Sequence, residues 1–313
     1  DINKNKILKK IYEITGRNNR ITVNDLAYLI GPILNSGGRL GKSEYATKLL
    51  SSNNETDINN ITHKLVKLNE QRKNIEEKIL ENINFHQIEK ENKNIIVIYN
   101  PNFKEGLIGI IAARLKEFFN KPCIIITNSK NLLKGSVRSM PNFDIGVAIK
   151  NSLDNKLIIN GGGHKMAAGF TLTKNNLNKF ISHIEKQYFK LNFDKKNNLF
   201  IYESKISSSA FNRSFYNEIS RLFPFGVGNI EPYFLFENLK ILKSKVLGKK
   251  NISSFLKSKN GYSIQSIFFN SFNSKIGEYL LNYKKEINVI GQIKENFWNN
   301  KITLQLIIKD LII

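Results

Sequence analysis

The spacing of apolar positions changes character along the chain. Apolar residues fall at helical intervals over residues 4–14 and 24–50; in the second stretch the run Leu26-Ala27-Tyr28-Leu29-Ile30 is broken by Gly31-Pro32 and followed by Asn35-Ser36-Gly37-Gly38-Arg39-Leu40-Gly41, which reads as helix, loop, helix. From Thr56 or Asp57, either of which suits an N-cap, apolar residues recur at Ile58, Ile61, Leu65, Leu68, Ile75, Ile79 and Ile83. That spacing predicts one long amphipathic helix, better suited to joining two domains than to binding a ligand. After Asn94 the pattern alternates. Strands are expected at Ile95–Tyr99, Pro122–Thr127, Leu133–Ser139 and Phe170–Leu172, with helices at Gly106–Phe119, Phe143–Ser152 and Asn176–Phe189, the signature of an α/β domain. The polar stretch Asn192–Asn198 marks a boundary. Beyond it, Leu199–Ile206 and a helix around Phe211–Leu222 precede five β-rich runs, Tyr233–Leu247, Ile252–Leu256, Tyr262–Phe269, Glu286–Phe297 and Ile302–Leu311, with the helix-prone Asn273–Leu281 among them. Five strands and one helix suggest a small barrel of the OB type. The expected fold class is α/β plus β, in segments 1–54, 55–94, 95–198 and 199–313.

Composition narrows the partners. The 313 residues are 41% hydrophobic, enough for more than one core, and Cys123 is the sole cysteine, so no internal disulfide can form. No apolar run approaches the roughly 20 residues of a membrane-spanning helix, and no signal-peptide pattern opens the chain, so a cytoplasmic location is expected. The first residue is Asp1 and the first helical pattern has no start signal, which suggests a piece of a longer protein. The 48 basic residues against 26 acidic ones give a formal net charge of +22, concentrated in 95–198 and 199–313, while 55–94 is close to neutral. Such an excess suits a polyanion whose phosphates would be neutralised with counterion release. A general bias toward Lys, Asn and Ile, as in Lys195-Lys196-Asn197-Asn198, would raise the charge as well.

Several motifs carry candidate chemistry. Gly37-Gly38-Arg39-Leu40-Gly41-Lys42-Ser43 ends like a phosphate-binding P-loop, but its first glycine would fall on Ser36 and no buried strand precedes it. Its glycines instead suit a close backbone turn that projects Arg39, whose guanidinium fork matches a phosphodiester. Gly161-Gly162-Gly163-His164-Lys165-Met166-Ala167-Ala168-Gly169 is expected to form an anion-binding nest of backbone N–H groups, with His164 beside it as a phosphate donor. In Lys134-Gly135-Ser136-Val137-Arg138-Ser139 the strand period puts Ser136 and Arg138 on one face, either a phosphate pocket or an exposed edge. Phe297 and Trp298 fall in a hairpin turn between two strands, where an aromatic ring can stack on bases or cap the barrel core. His63, His86, His164 and His183 have no metal-ligand spacing, and neither a catalytic triad nor an aspartate cluster is visible.

In this order the motifs resemble the RecJ family of single-strand-specific 5′→3′ DNA exonucleases, within the DHH phosphoesterase superfamily. Gly31–Leu40 resembles the P-R-[IL]-N-A-A-G-R-[LM] segment at the end of the DHH domain, and Leu68-Asn69-Glu70-Gln71-Arg72-Lys73 the connecting helix. Gly106–Leu115, Lys134–Ser139 and Gly162–Gly169 match three motifs of the DHH-associated domain. Pro224-Phe225-Gly226-Val227-Gly228-Asn229-Ile230-Glu231-Pro232 matches the segment before the family's OB barrel. The resemblance implies that 1–54 is the end of a DHH catalytic domain, 55–94 the connecting helix, 95–198 the DHH-associated α/β domain and 199–313 a nucleic-acid-binding OB fold. It implies Mn²⁺ or Mg²⁺ bound by the DHH domain, with catalytic residues upstream of Asp1, and a role in DNA repair and recombination. It assigns Ser136 and Arg138 to the phosphate pocket near the 5′ end, His164 with Gly161, Gly162 and Gly163 to substrate phosphate, and Arg39 to the path of the strand. Single-stranded DNA is the implied partner, with a single-strand-binding protein and a RecQ-type helicase. Phe103-Lys104 stands where the family has a Trp-His pair and Ile33 where it has arginine, leaving Lys104 as a point-charge phosphate contact. Two alternatives stay open: a non-catalytic single-strand-binding protein, and a phosphodiesterase for short oligonucleotides or cyclic dinucleotides.

Overall fold

Asparagine caps start several helices of the first part of the chain. In the computed structural model, which describes residues 5–17, 21–190, 201–226, 228–248, 251–269, 271, 274–283, 285–298 and 301–312, the Asn5 side chain accepts from the N–H groups of Ile7 and Leu8 and opens α1 (Lys6–Ile14). Thr22 and Asp25 form a reciprocal capping box on the single turn α2 (Val23–Asp25), which passes through a π-helical turn, Leu26–Ile30, into α3 (Gly31–Arg39). The break expected at Gly31-Pro32 and the loop expected over the glycines are therefore absent. Pro32 occupies the first turn of α3, where its missing N–H costs nothing, and the glycines close the helix. Gly37 is required because a Cβ there would overlap the Lys42 carbonyl oxygen, and the chain reverses at Gly41, whose φ is +81°.

After α4 (Glu44–Ser51), Asn54 caps α5 (Glu55–Glu81). The helix expected through Ile83 stops at Glu81, since Asn82 ends it and the Asn84 side chain caps a separate helix, α6 (Phe85–Glu91). The first half of α5 buries Ile58 and Leu65 with Ile11, Tyr12, Ile30, Ile33 and Leu49. Its second half packs Ile75 and Ile79 against the apolar helix α7 (Glu105–Phe119). Between these helices Glu76, nearly buried, accepts from Arg72 Nη1 at 2.7 Å and from Arg114 Nε at 2.9 Å. Burial alone would lower the Arg114 pKa, but the Glu76 and Glu117 carboxylates beside it hold the proton on and raise it.

The α/β part is a five-stranded sheet in the order β1-β2-β3-β5-β4, made of β1 (Ile96–Tyr99), β2 (Cys123–Ser129), β3 (Leu132–Arg138), β4 (Asn160–His164) and β5 (Ala167–Leu172). Only β1 and β2 of these pair in parallel. Helices α8 (Ile145–Asp154) and α9 (Leu177–Lys190) cover one face, over Ile124, Ile126, Val137, Phe170 and Leu172. On the other face α7 covers Ile96, Cys123 and Ile125 of β1 and β2. The β5–β4 end of that face stays open to solvent, with Gly162, His164 and Gly169 exposed.

The chain divides into two compact units, Asp1–Asp194 and Lys195–Ile313, and the second contains a closed barrel. Strands β7 (Phe234–Leu247), β8 (Asn251–Ser258), β9 (Ser263–Phe268), β11 (Lys301–Ile312) and β10 (Glu286–Trp298) pair in that order, and β10 pairs back onto β7. The β9–β11 pair is parallel, and α11 (Lys275–Asn282) connects β9 to β10, which is the OB arrangement. A two-residue strand, β6 (Ser204–Lys205), and α10 (Arg213–Ser220) precede it. Alternate residues such as Phe236, Leu239, Ile252, Leu256, Ile264, Val289 and Leu306 fill the interior. Before the barrel, the Asn229 side chain donates to the carbonyls of Leu222 and Pro224 at 2.9 Å, and Gly228 takes φ +85°; the Pro-Phe-Gly segment is a pinned turn, with Val227 outside the described residues. The boundary stretch Asn192–Asn198 also lies outside them. No helix among the described residues is long and apolar enough to cross a membrane.

Candidate phosphate site and strand surfaces

Two glycines on α7 set the geometry of the open sheet face. At Gly106 a Cβ would overlap the backbone of Arg39, so the first turn of α7 rests directly on the C-terminal end of α3. One turn on, a Cβ at Gly109 would lie 3.1 Å from both Arg138 Nη2 and Ser136 Oγ. The two glycines, three residues apart on one helix face, let a single helix touch the end of α3 and the end of β3 at once. Lys134, at the far end of the same β3 face, pairs with Glu105 at 3.0 Å, and the Glu105 carboxyl is held below its ordinary pKa by a hydrogen bond from Ser129 first and then by Lys134.

Arg138 is half-buried, and its Nη1 donates to Ser136 Oγ at 3.2 Å and to the Val137 carbonyl at 2.9 Å. Among the described residues no carboxylate pairs with it. Its pKa is lowered, by loss of solvent first and then by repulsion from the Arg39 guanidinium, although an arginine keeps its proton under such a shift. Arg39 Nη1 in turn donates to the Gly106 carbonyl at 3.2 Å. Arg138 thus stands partly desolvated beside a second, exposed guanidinium, and an anion bound there would relieve both costs to it.

The strand register extends this surface. Ser136, Gly169 and Gly162 form one row across β3, β5 and β4, and Arg138, Ala167 and His164 form the next. Small residues in the middle make a floor, with Arg138 and His164 at its sides, about 10 Å apart along the sheet because each strand spacing is about 4.8 Å. The His164 ring is exposed and has no hydrogen-bond partner among the described residues.

The expected nest is corrected here. Gly161, Gly162 and Gly163 lie in the extended strand β4 rather than in a loop, and none of them takes a positive φ. They are glycines for space. A Cβ at Gly163 would overlap the β5 backbone at Ala167 and Ala168, and one at Gly161 would press on Ile158 and Ile149, whereas Gly162 has open space above it. Gly162 shares its face with Ser136 and His164, while Gly161 and Gly163 face α8.

Lys104 is the N-cap residue of α7 and lines a shallow groove of about 370 Å³ with Leu40, Lys42, Leu68, Gln71, Asn74 and Ile75. In the barrel, Phe297 stands near the end of β10, 46% exposed and opposite the exposed Ile302, so it does not cap the core. Trp298 ends β10, paired with Lys301; its side chain lies outside the described residues, as do Asn299 and Asn300. The role of Gly106 and Gly109 escaped the sequence reading, although glycines at i and i+3 in an apolar helix are a visible signal of close approach.

Among the described residues no three His, Cys, Asp or Glu side chains come together as a metal-binding group. A family model described as the DHHA1 domain matches residues 92–189, and one described as the RecJ OB domain matches residues 202–310. The single-stranded-DNA-specific exonuclease RecJ of Haemophilus influenzae is 30% identical over 298 residues, covering 88% of this chain and 51% of that protein. Its namesake in Bacillus subtilis is 24% identical over 311 residues, covering 97% and 39%. The chain thus spans about half or less of these relatives. The crystal structure of RecJ in complex with Mn²⁺ from Thermus thermophilus superposes with a TM-score of 0.79 at 24% identity, over 98% of this chain and 44% of that one, a likeness of fold.

Proposed function

Because the chain belongs to the RecJ family and carries the domains of its C-terminal portion, we propose that it is the substrate-holding part of a single-strand-specific 5′→3′ DNA exonuclease acting in repair and recombination. The observation that carries this reading is the pair of arginines, Arg39 and Arg138, converging beside Ser136 with no carboxylate paired to either among the described residues. Arg138 and Ser136 bind the 5′-terminal phosphate, Arg39 follows the next phosphate, and His164 donates across the bare floor of Gly162 and Gly169. The Lys104 ammonium supplies a further positive charge at the start of α7. These residues bind and orient the strand; hydrolysis, with the divalent metal of the similar structures, falls to groups outside the described residues. The barrel holds the rest of the single strand. A single-strand-binding protein and a RecQ-type helicase belong to the same reading as partners, and the cytoplasm as its location.

The test is Arg138→Ala in the full-length protein, assayed on strands with a 5′-phosphate and a 5′-hydroxyl. We expect at least a tenfold loss of preference for the phosphate, with general strand binding nearly retained. Equal losses on both ends would overturn the assignment. Strand binding by the full-length wild type without hydrolysis would favour a binding protein instead.

A further inference from the structure

The helices on the far side of the sheet from Ser136 and Arg138 form a basic cleft that the proposed function leaves unused. Helix α9 turns Phe180 and Ile184 into the core beneath it. On its outward side Lys179, His183 and Lys186 follow at intervals of four and three, so they stand one turn apart, with Cβ atoms about 5–6 Å from one to the next. With Asn178 and Ser182, and with Asn155 and Leu157 from the loop after α8, they line an open cleft of about 540 Å³. Sites for small molecules span about 300–1,000 Å³. The loop wall is fixed from both sides. The Leu157 N–H donates to the Ser152 carbonyl at 3.0 Å, Asn155 Nδ2 to the Asn151 carbonyl at 2.7 Å, and Asn176 Nδ2 to the Lys156 carbonyl at 3.3 Å. These bonds hold Lys156 at φ +56°, a left-handed value costly for a lysine.

The α9 wall is a row of donors. Gln187 Oε1 accepts from Asn151 Nδ2 at 3.1 Å, which turns the Gln187 amide nitrogen toward His183 Nε2. An amide nitrogen only donates, so that ring nitrogen accepts, and the proton of the neutral imidazole sits on Nδ1. This N–H, the Ser182 hydroxyl, the Asn178 amide and the ammonium groups of Lys179 and Lys186 have no partner among the described residues. Burial first, and then Lys190 and Lys186, push the His183 pKa below its ordinary value, so the ring stands among cations. Asn178 and Lys179 lie in the first turn of α9, where the helix dipole adds to the same field. Across the cleft, Asn155 Oδ1 is an acceptor without a partner among the described residues, and Leu157 is apolar. A bare anion uses the α9 wall alone. A phosphate monoester whose other end is partly apolar and donates a hydrogen bond uses both walls, and a nucleoside 5′-monophosphate is such a molecule.

Resting on the proposed function for the source of the ligand, we propose that the cleft between α8 and α9 binds a free nucleoside 5′-monophosphate, the product of the exonuclease reaction. Lys179, Lys186 and the His183 Nδ1–H hold its phosphate, and Asn155 Oδ1 accepts from a sugar hydroxyl or a base N–H above Leu157. Because α8 and α9 cover one face of the sheet and Ser136 and Arg138 lie on the other, product and strand occupy the protein together.

The test is a calorimetric titration of the full-length protein with thymidine 5′-monophosphate, in the absence of divalent metal and the presence of a saturating phosphorothioate oligothymidylate. A mononucleotide site is expected to remain measurable beside the bound oligonucleotide. Lys179→Gln with Lys186→Gln, both exposed positions, is expected to weaken it by about tenfold or more, the worth of a hydrogen bond to a charged group, while leaving metal-dependent hydrolysis of single strands unchanged. His183→Gln is expected to weaken it by a smaller factor. Thymidine, which lacks the phosphate, and inorganic phosphate, which lacks the nucleoside, are each expected to bind about tenfold more weakly than the nucleotide. Displacement of the mononucleotide by the oligonucleotide would give the cleft to the strand and overturn the proposal. Equal affinity for inorganic phosphate, or wild-type affinity in the double lysine variant, overturns it too. A full-length protein that binds the mononucleotide in this cleft and cleaves no single strand keeps the site and overturns the proposed function instead.

Discussion

The sheet face of the first unit and the outer wall of the barrel handle positive charge in opposite ways. In the sheet, Arg138 is half-buried, hydrogen-bonded to Ser136 and Val137, and pressed by α7 through Gly109. On the barrel, Lys243 and Lys257 stand in solvent on strands whose inner faces alone make the core. A packed guanidinium is pre-oriented and can discriminate one phosphate geometry from another, while exposed ammonium groups follow a backbone of any sequence. The first surface is therefore sensitive to volume, and the second to charge. Under the proposed function, that difference is one between reading the end of a strand and holding its length.

The largest effect that would break this contrast lies at the contact of α7 with α3. Gly106→Val places two methyl groups where the Arg39 backbone already stands, and is expected to cost about 3 kcal/mol or more, since neither helix backbone can move without uncovering its core. Gly162→Ala, on the same sheet surface but with open space above it, is expected to change stability by less than about 0.5 kcal/mol. Urea denaturation of the two variants checks the pair. Equal costs would mean that close approach is not what Gly106 provides.

Next in size is the carboxylate that ties α5 to α7. Glu76→Gln keeps the shape but leaves Arg72, whose side chain is only 11% exposed, without its charge partner, and a loss of about 2 kcal/mol is expected. Arg114 is half-exposed and can rehydrate, so the Arg114→Met variant should cost less than Glu76→Gln. A double-mutant cycle between the two positions measures the coupling. Zero coupling would show that α7 is held by apolar packing alone.

Much of the architecture was readable because its signals are periodic. The five β-rich runs and the helix between the third and fourth are the strands and helix of the barrel, and the alternation in Lys134–Ser139 does put Ser136 and Arg138 on one face. Two of the misreadings fall where glycine is involved. Gly161–Gly163 are compatible with a nest or a strand, and only the neighbouring strand β5, whose backbone leaves no room for a Cβ at Gly163, decides between them. Gly31-Pro32 likewise reads as a break until the preceding π-helical turn delivers it to the first turn of α3. The outward turn of Phe255, 44% exposed on β8, was invisible for another reason. In Ile252-Ser253-Ser254-Phe255-Leu256-Lys257 the ring and Leu256 look equally fit for the core, and only the register shows that Leu256 takes it.

The smallest expected effect separates two exposed aromatic positions of the barrel, Phe297 and Phe255. Phe297 shares its β10 face with Glu295, which is ion-paired to Arg213, and stands opposite Ile302. Its surroundings are thus close to neutral, whereas Phe255 stands opposite Lys243, which has no ion-pair partner among the described residues. With nearly half its surface already in water, Phe297 contributes little to folding, so Phe297→Ala should shift the urea midpoint only slightly. Its loss of strand affinity should be about threefold or less, well below the roughly tenfold loss expected for Phe255→Ala, because a base stacked at Phe297 gains no lysine beside its phosphate. Parallel titrations of the two alanine variants at one salt concentration make the comparison direct. A larger loss at Phe297 than at Phe255 would move the path of the strand to the hairpin, and would mean that aromatic exposure outweighs the surrounding charge in this barrel.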